Sequence, residues 1–132
     1  MTISALAKKL LVKPGYQLGL VNAPSGYADR LRPLPEGAEL VDELRPELDF
    51  VQLFARDAAE LERLGPTAFG AVRRDGLLWV CYPKGGKKAG TDLNRDILWE
   101  LMGRSGLAGV SLVAVDETWS AMRFRPADRV GT

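Results

Sequence analysis

The segment Leu77 to Tyr82 reads Leu-Leu-Trp-Val-Cys-Tyr. It is apolar at every position, so both alternating faces of a strand formed here must be covered. A strand covered on both faces sits in the middle of a sheet with helices above and below, which constrains the fold class more than any other feature of the chain. The turn residues Arg73-Arg74-Asp75-Gly76 precede it and Pro83 ends it.

The rest of the chain supplies partners of the expected kinds. Apolar residues from Ile3 to Leu11 recur at helical spacing, and Lys13-Pro14-Gly15 stops that helix. Tyr16 to Val21 is a short uncharged strand broken by Asn22-Ala23-Pro24-Ser25-Gly26, after which a brief helix runs to Leu31. Ala38 to Leu44 carries apolar residues among acids and suits an exposed edge strand. Phe50 to Ala55 is a strand that passes into a helix capped by Asp57, and Gly65-Pro66 interrupts that helix. Leu93 to Met102 trace one face of a further helix, capped by Thr91 or Asp92 and stopped by Gly106. Val110 to Val115 and Trp119 to Arg125 form an antiparallel hairpin about Asp116-Glu117-Thr118. Strands alternating with helices imply parallel pairing through right-handed crossovers. The expected fold is thus α/β: a small, mainly parallel twisted sheet with flanking helices and a C-terminal antiparallel β-hairpin, in one domain spanning residues 1–132.

Composition narrows the chemistry. The chain contains no histidine, which removes serine and cysteine triads and the commonest general base and metal ligand. Its one cysteine, Cys81, lies in the apolar strand and is expected to be an inert buried thiol with a raised pKa. No thiol spacing suggests a metal site, and neither a metal nor a cofactor is expected. The 18 basic residues balance 17 acidic ones, so charge gives no reason to expect nucleic acid or a membrane surface as partner. No long apolar run or leader pattern is present; a cytoplasmic protein is expected.

Three local constellations are candidates for binding. The loop Lys84-Gly85-Gly86-Lys87-Lys88-Ala89-Gly90-Thr91 is basic, glycine-rich and placed after the central strand, where open α/β sheets bind ligands. Gly85 and Gly90 have phosphate-loop spacing, but no lysine precedes Thr91. A mobile solvated loop is its plainer reading. The turn containing Asn22, Ser25 and Gly26 follows the first strand, at the position of a dinucleotide or methyl-donor cofactor, or merely starts a helix. Trp119 and Ser120, with Arg123 and Arg125 further along the same strand, form a groove for a carboxylate or phosphate, or else the tryptophan is simply part of the core.

The order of elements resembles a shortened class I methyltransferase fold of the Rossmann type. Lys13-Pro14-Gly15 before the first strand, Asp49-Phe50-Val51, Asp75-Gly76-Leu77-Leu78-Trp79-Val80 and the terminal hairpin after Ser105-Gly106-Leu107 are similar to that family's strand entries. Asn22-Ala23-Pro24-Ser25-Gly26 stands where its cofactor-binding glycine cluster would be, so the resemblance implies a truncated fold without the activity. From Leu10 to Phe124 the chain also resembles a family of short bacterial proteins of unknown function. That likeness rests on Asn22-Ala23-Pro24 with Gly26-Tyr27, Trp79 with Tyr82-Pro83-Lys84, Thr91-Asp92-Leu93, and Asp116-Glu117-Thr118-Trp119-Ser120. It implies a bacterial cytosolic protein and brings no substrate with it.

Three functions follow as expectations. The first is a non-catalytic binding or interaction protein that engages an anionic small molecule or a protein partner. The second is a small enzyme or cofactor binder that uses the Lys84 to Thr91 loop for a phosphorylated or carboxylated ligand, with Asp116 or Glu117 as acid-base group. The third is a structural homo-oligomer, a homodimer in the simplest case, pairing through the acidic strand at Ala38 to Leu44.

Overall fold

The computed structural model describes residues 3–130. Helix α1 (Ala5–Lys9), strand β1 (Gln17–Val21), helix α2 (Tyr27–Leu31) and strand β2 (Glu39–Leu40) lead into β3 (Leu48–Phe54), α3 (Ala58–Ala71) and β4 (Val72–Pro83). Helix α4 (Arg95–Gly103), β5 (Leu107–Ala114) and β6 (Trp119–Pro126) complete the order, with short 3-10 turns at Gly86–Ala89 and Ala127–Arg129. The sheet runs β2-β1-β3-β4-β6-β5. The first four strands in that order are parallel, whereas β6 pairs antiparallel with both β4 and β5. The architecture is therefore α/β and Rossmann-like with a mixed sheet, as the alternation of elements implied.

The double-sided apolar run does what its sequence demands. Leu78, Val80 and Tyr82 belong to one buried cluster with Leu61, Ala68, Leu98 and Met102 of α3 and α4. Leu77, Trp79 and Cys81 face the other, with Ala7 and Leu10 of the N-terminal segment and Tyr27 and Leu31 of α2. Trp79 also donates its indole N–H to the carbonyl of Leu10 at 3.0 Å, which ties the N-terminal segment to the sheet. Burying such aromatic and aliphatic side chains contributes roughly 1.5–3 kcal/mol each.

Four local expectations are corrected. Helix α3 runs unbroken through Pro66, because Leu61, Ala68 and Ala71 bury one face while Pro66 and Glu62, whose carbonyl loses its donor, lie on the exposed face. Arg73 to Gly76 is a bulge within β4 and not a turn before it: between the pairs Leu48–Val72 and Phe50–Leu77, β3 advances two residues and β4 five. Asp75 takes a left-handed φ of 57° there and receives Arg125 from β6 at 2.8 and 2.9 Å. The N-cap of α4 is Asn94, whose side chain accepts from Ile97 N–H; Thr91 and Asp92 serve other bonds. The edge strand expected over Ala38–Leu44 is only Glu39–Leu40, because the chain turns inward so that Leu44 and Leu48 pack over Gly19. A β-carbon at Gly19 would lie 2.7 Å from both leucine side chains.

Among the described residues no helix is long and apolar enough to cross a membrane.

Candidate functional site

Strand order reverses between β1 and β3. From β1 the chain crosses through α2 to β2 on one side, and from β3 it crosses through α3 to β4 on the other. Such a point opens a crevice at the carboxyl ends of the strands, and ligands of open α/β sheets bind there. The residues arriving at this edge are Asn22 to Gly26 after β1, Asp42 just past β2, Ala55 to Asp57 after β3, and Lys84 after β4.

The β3–α3 junction is built by reciprocal capping. The Asp57 side chain accepts from Glu60 N–H at 2.8 Å, and the Glu60 carboxylate reaches back to Arg56 N–H at 2.8 Å. Glu60 also accepts from the Asn22 amide at 3.1 Å, and the same amide donates to the carbonyl of Phe54 at 2.8 Å. Asn22 holds a left-handed φ of 60°, so its side chain laces β1 to β3 across the crevice mouth. Gly26, at φ 80°, is exposed and has open space where a β-carbon would stand.

Next to this junction lies an open cleft of about 540 Å³. Arg56 and Asp57 line one side, Lys84 and Gly90 another, and Glu117 and Trp119 a third. Lys84 N–H bonds to the carbonyl of Thr118 at 2.8 Å, joining the end of β4 to the β5–β6 turn. That turn is held by Asp116, which accepts from Thr118 and Trp119 N–H, both at 2.8 Å, and from Arg30 at 2.9 Å. Burial works against the Asp116 charge, but these donors outweigh it and hold the carboxyl below its ordinary range.

The structure brings some of the sequence candidates together and separates others. Lys84 and Trp119 share the cleft, and Asn22, Ser25 and Gly26 stand on the same edge one strand away. Gly85 and Gly86 adopt left-handed conformations that start the 3-10 turn, and Lys87 and Lys88 belong to that turn. Thr91 is only 4 % exposed, and its hydroxyl accepts from Leu93 N–H at 3.0 Å. Ser120 faces away from Trp119 and pairs across the strands with Tyr82. Arg123 lies further along β6, opposite Trp79 and Ser111, outside the cleft; Arg125 belongs to Asp75. Cys81 is fully buried, and desolvation pushes its thiol up to about 12, which keeps it protonated and inert.

Asp42, Arg56 and Glu60 were not read as site residues from the sequence. Asp42 had a usable signal, since an acid about twenty residues beyond the first strand's turn is the spacing of ribose-binding carboxylates. Glu60 is visible only as the capping partner three residues after Asp57, and Arg56 has no signal, because what they line up with comes from β1 and the β5–β6 turn.

No protein-family model matches the chain, and no curated protein matches it in sequence. Solved structures do match in fold. DhpI in complex with SAH shares 13 % identity at a TM-score of 0.59, over 94 % of this chain and 81 % of that one. The N-methyltransferase NodS from Bradyrhizobium japonicum, in complex with S-adenosyl-L-homocysteine (SAH), shares 10 % at a TM-score of 0.57, over 91 % and 85 %. The 1,6-didemethyltoxoflavin-N1-methyltransferase of Burkholderia thailandensis, bound to 1,6-didemethyltoxoflavin and S-adenosylhomocysteine, shares 13 % at 0.56, over 95 % and 80 %. At such identities the likeness establishes the fold, which is that of class I methyltransferases.

The same finding corrects the expectation of a non-catalytic binding or interaction protein. The chain shares nearly its whole length with enzymes that hold SAH, so the absence of histidine and of a glycine cluster does not argue against an enzyme. It favours neither the phosphate-loop enzyme nor the structural subunit.

Proposed function

We propose that this chain is a methyltransferase-like enzyme, a single cytosolic α/β domain that takes an S-adenosyl compound at the carboxyl edge of its sheet. The observation that carries the proposal is the reversal of strand order between β1 and β3, with Asn22 to Gly26, Asp42 and Arg56 grouped around it. The SAH-bound neighbours support it through the fold they share with this chain.

The donor set fits such a ligand. The Asp42 carboxylate, exposed immediately beyond β2, suits a ribose diol. The open backbone at Gly26 lets a flat group approach where a side chain would stand in the way. Arg56 and Lys84 supply two cations for an amino-acid carboxylate. The Asn22 amide bridges to Glu60 and to the Phe54 carbonyl at the entrance, which holds the β1 turn in place beside the ligand.

When bound, the compound supplies an electrophilic methyl group: a bond forms from the acceptor to that carbon as the carbon–sulfur bond breaks, and sulfur leaves as a neutral thioether. The cleft beside Arg56 holds the acceptor in line, which is the main catalytic contribution such a displacement needs. Glu117 on the cleft wall receives the proton that the acceptor gives up.

Calorimetric titration with S-adenosylhomocysteine tests this reading on wild type and Asp42→Asn. The expected result is saturable binding that weakens at least tenfold in the variant. No heat of binding with either protein, confirmed by an unmoved unfolding midpoint, overturns it.

A further inference from the structure

The cleft beside the β3–α3 junction is short of bases. Its lining contains no histidine, cysteine or tyrosine, its Arg56 and Lys84 are cations, and its two carboxylates are Asp57 and Glu117. Asp57 already accepts from Glu60 N–H as the cap of α3. Glu117 is exposed and, among the described residues, its side chain has neither a hydrogen bond nor an ion pair. It is therefore the group left to receive a proton.

A carboxylate as the base sorts the acceptors. Alkylammonium and phenol groups ordinarily hold their protons to about pH 10, roughly six units above a glutamate, so neither yields one to a carboxylate before reacting. An aromatic amine differs, because its nitrogen is neutral and carries a free lone pair. Its N–H becomes acidic only as the nitrogen gains a fourth bond, and a carboxylate is strong enough to take that proton. The wall next to Glu117 also suits a flat ring. Trp119 lines the cleft half-buried, its ring at 87° to that of Phe54 with centroids 5.1 Å apart. Pro83 stands opposite it in the β4–β6 pair, and residues opposite each other in such a pair present their side chains on one face. Ala89 and Gly90 line the same cleft with nothing larger than a methyl group.

We infer that the methyl acceptor is the nitrogen of an aromatic amine on a free small molecule, seated with its ring against Trp119 and Pro83 and its N–H toward Glu117. The inference rests on the S-adenosyl site proposed above. The nitrogen lone pair forms a bond to the methyl carbon as the carbon–sulfur bond breaks, and that bond's electron pair leaves on sulfur. The proton passes from the nitrogen to the Glu117 carboxylate and on to solvent, which reaches that exposed side chain. The products are a neutral N-methyl amine, a neutral thioether and one proton. A net charge of +1 gives the chain no track for a phosphate backbone, which favours a free molecule over a base within a nucleic acid. At about 540 Å³ the cleft has the volume of a small-molecule site.

Label transfer from methyl-tritiated S-adenosylmethionine to aniline, benzylamine and phenol, three probes of similar size, tests the inference on protein whose binding of S-adenosylhomocysteine has been measured. N-methylaniline is expected to form at least tenfold faster than either other product. Glu117→Gln, at an exposed position, is expected to lower that rate at least tenfold while S-adenosylhomocysteine affinity stays within twofold of wild type. Trp119→Leu is expected to raise the KM for aniline. Protein that binds S-adenosylhomocysteine yet methylates benzylamine or phenol best, a single-stranded RNA in place of aniline, or none of these, overturns the acceptor assignment and leaves the S-adenosyl site standing. An unchanged rate in Glu117→Gln overturns it as well. Absence of S-adenosylhomocysteine binding overturns the site itself, and the acceptor assignment with it.

Discussion

The Tyr27 hydroxyl donates to the side-chain carbonyl of Gln52 at 2.9 Å, inside the cluster beneath α2, where Gln52 is fully buried. The Gln52 amide in turn faces Cys81 Sγ at 3.1 Å. This pair fixes the first residue of α2 to the middle of β3, and thereby fixes the preceding turn, Asn22 to Gly26, against the crevice. Burial and the neighbouring thiol raise the Tyr27 pKa, so the hydroxyl keeps the proton it donates.

Removing that donor strands a buried acceptor. Tyr27→Phe should therefore lower the unfolding free energy by about 1–3 kcal/mol, measured by urea denaturation. The double variant Tyr27→Phe/Gln52→Leu should be destabilised by less than the sum of its single changes, because no orphaned carbonyl remains.

Acid stability should follow Asp75. The hydrogen bonds from Arg125, assisted by the charges of Arg125 and Arg129, lower its folded-state pKa. As pH falls, the unfolded chain takes up its proton first, at an ordinary value of about 3.9. The stabilisation is therefore complete above that value and lost as pH falls through the lower folded value. Unfolding midpoints of wild type should drop through this acid window, and Asp75→Asn should show a shallower drop from a lower plateau.

The lysines of the glycine-rich loop divide into two groups. Lys84 lines the cleft with Arg56, whereas the 3-10 turn reaches it only through Ala89 and Gly90, and Lys87 and Lys88 do not line it. Charge reversal at Lys87 and Lys88 together should leave affinity for S-adenosylhomocysteine within twofold of wild type. Arg56→Ala or Lys84→Ala should weaken it about tenfold, the loss of one charge-assisted hydrogen bond of roughly 1.5 kcal/mol. Equal losses in both sets would place the ligand on the loop.

Much of this fold is legible in the sequence because its signals are local. The run from Leu77 to Tyr82 declares a central strand, and Asp57 declares the start of α3. The same local signals mislead where packing decides. Pro66 and the Arg73 to Gly76 segment look like breaks, yet burial of Ala68 and Ala71 carries the helix through one, and the Asp75–Arg125 pair holds the other within the sheet. The site is less legible. Asn22 and Glu60 are thirty-eight residues apart and meet only because β1 and β3 are neighbours. Arg123, which shares a strand with Trp119, turns out to stand beyond the cleft.

The central claim is that an S-adenosyl compound occupies the carboxyl edge of the sheet at the β1–β3 reversal. Backbone amide chemical shifts of isotopically labelled protein, followed during titration with S-adenosylhomocysteine, test it most directly. The account predicts saturable shifts at Ser25, Gly26, Asp42, Arg56 and Lys84, with the opposite edge around Asp75 and Gly76 unmoved. A spectrum that stays unchanged to the solubility limit of the ligand, or shifts centred on that opposite edge, contradicts it.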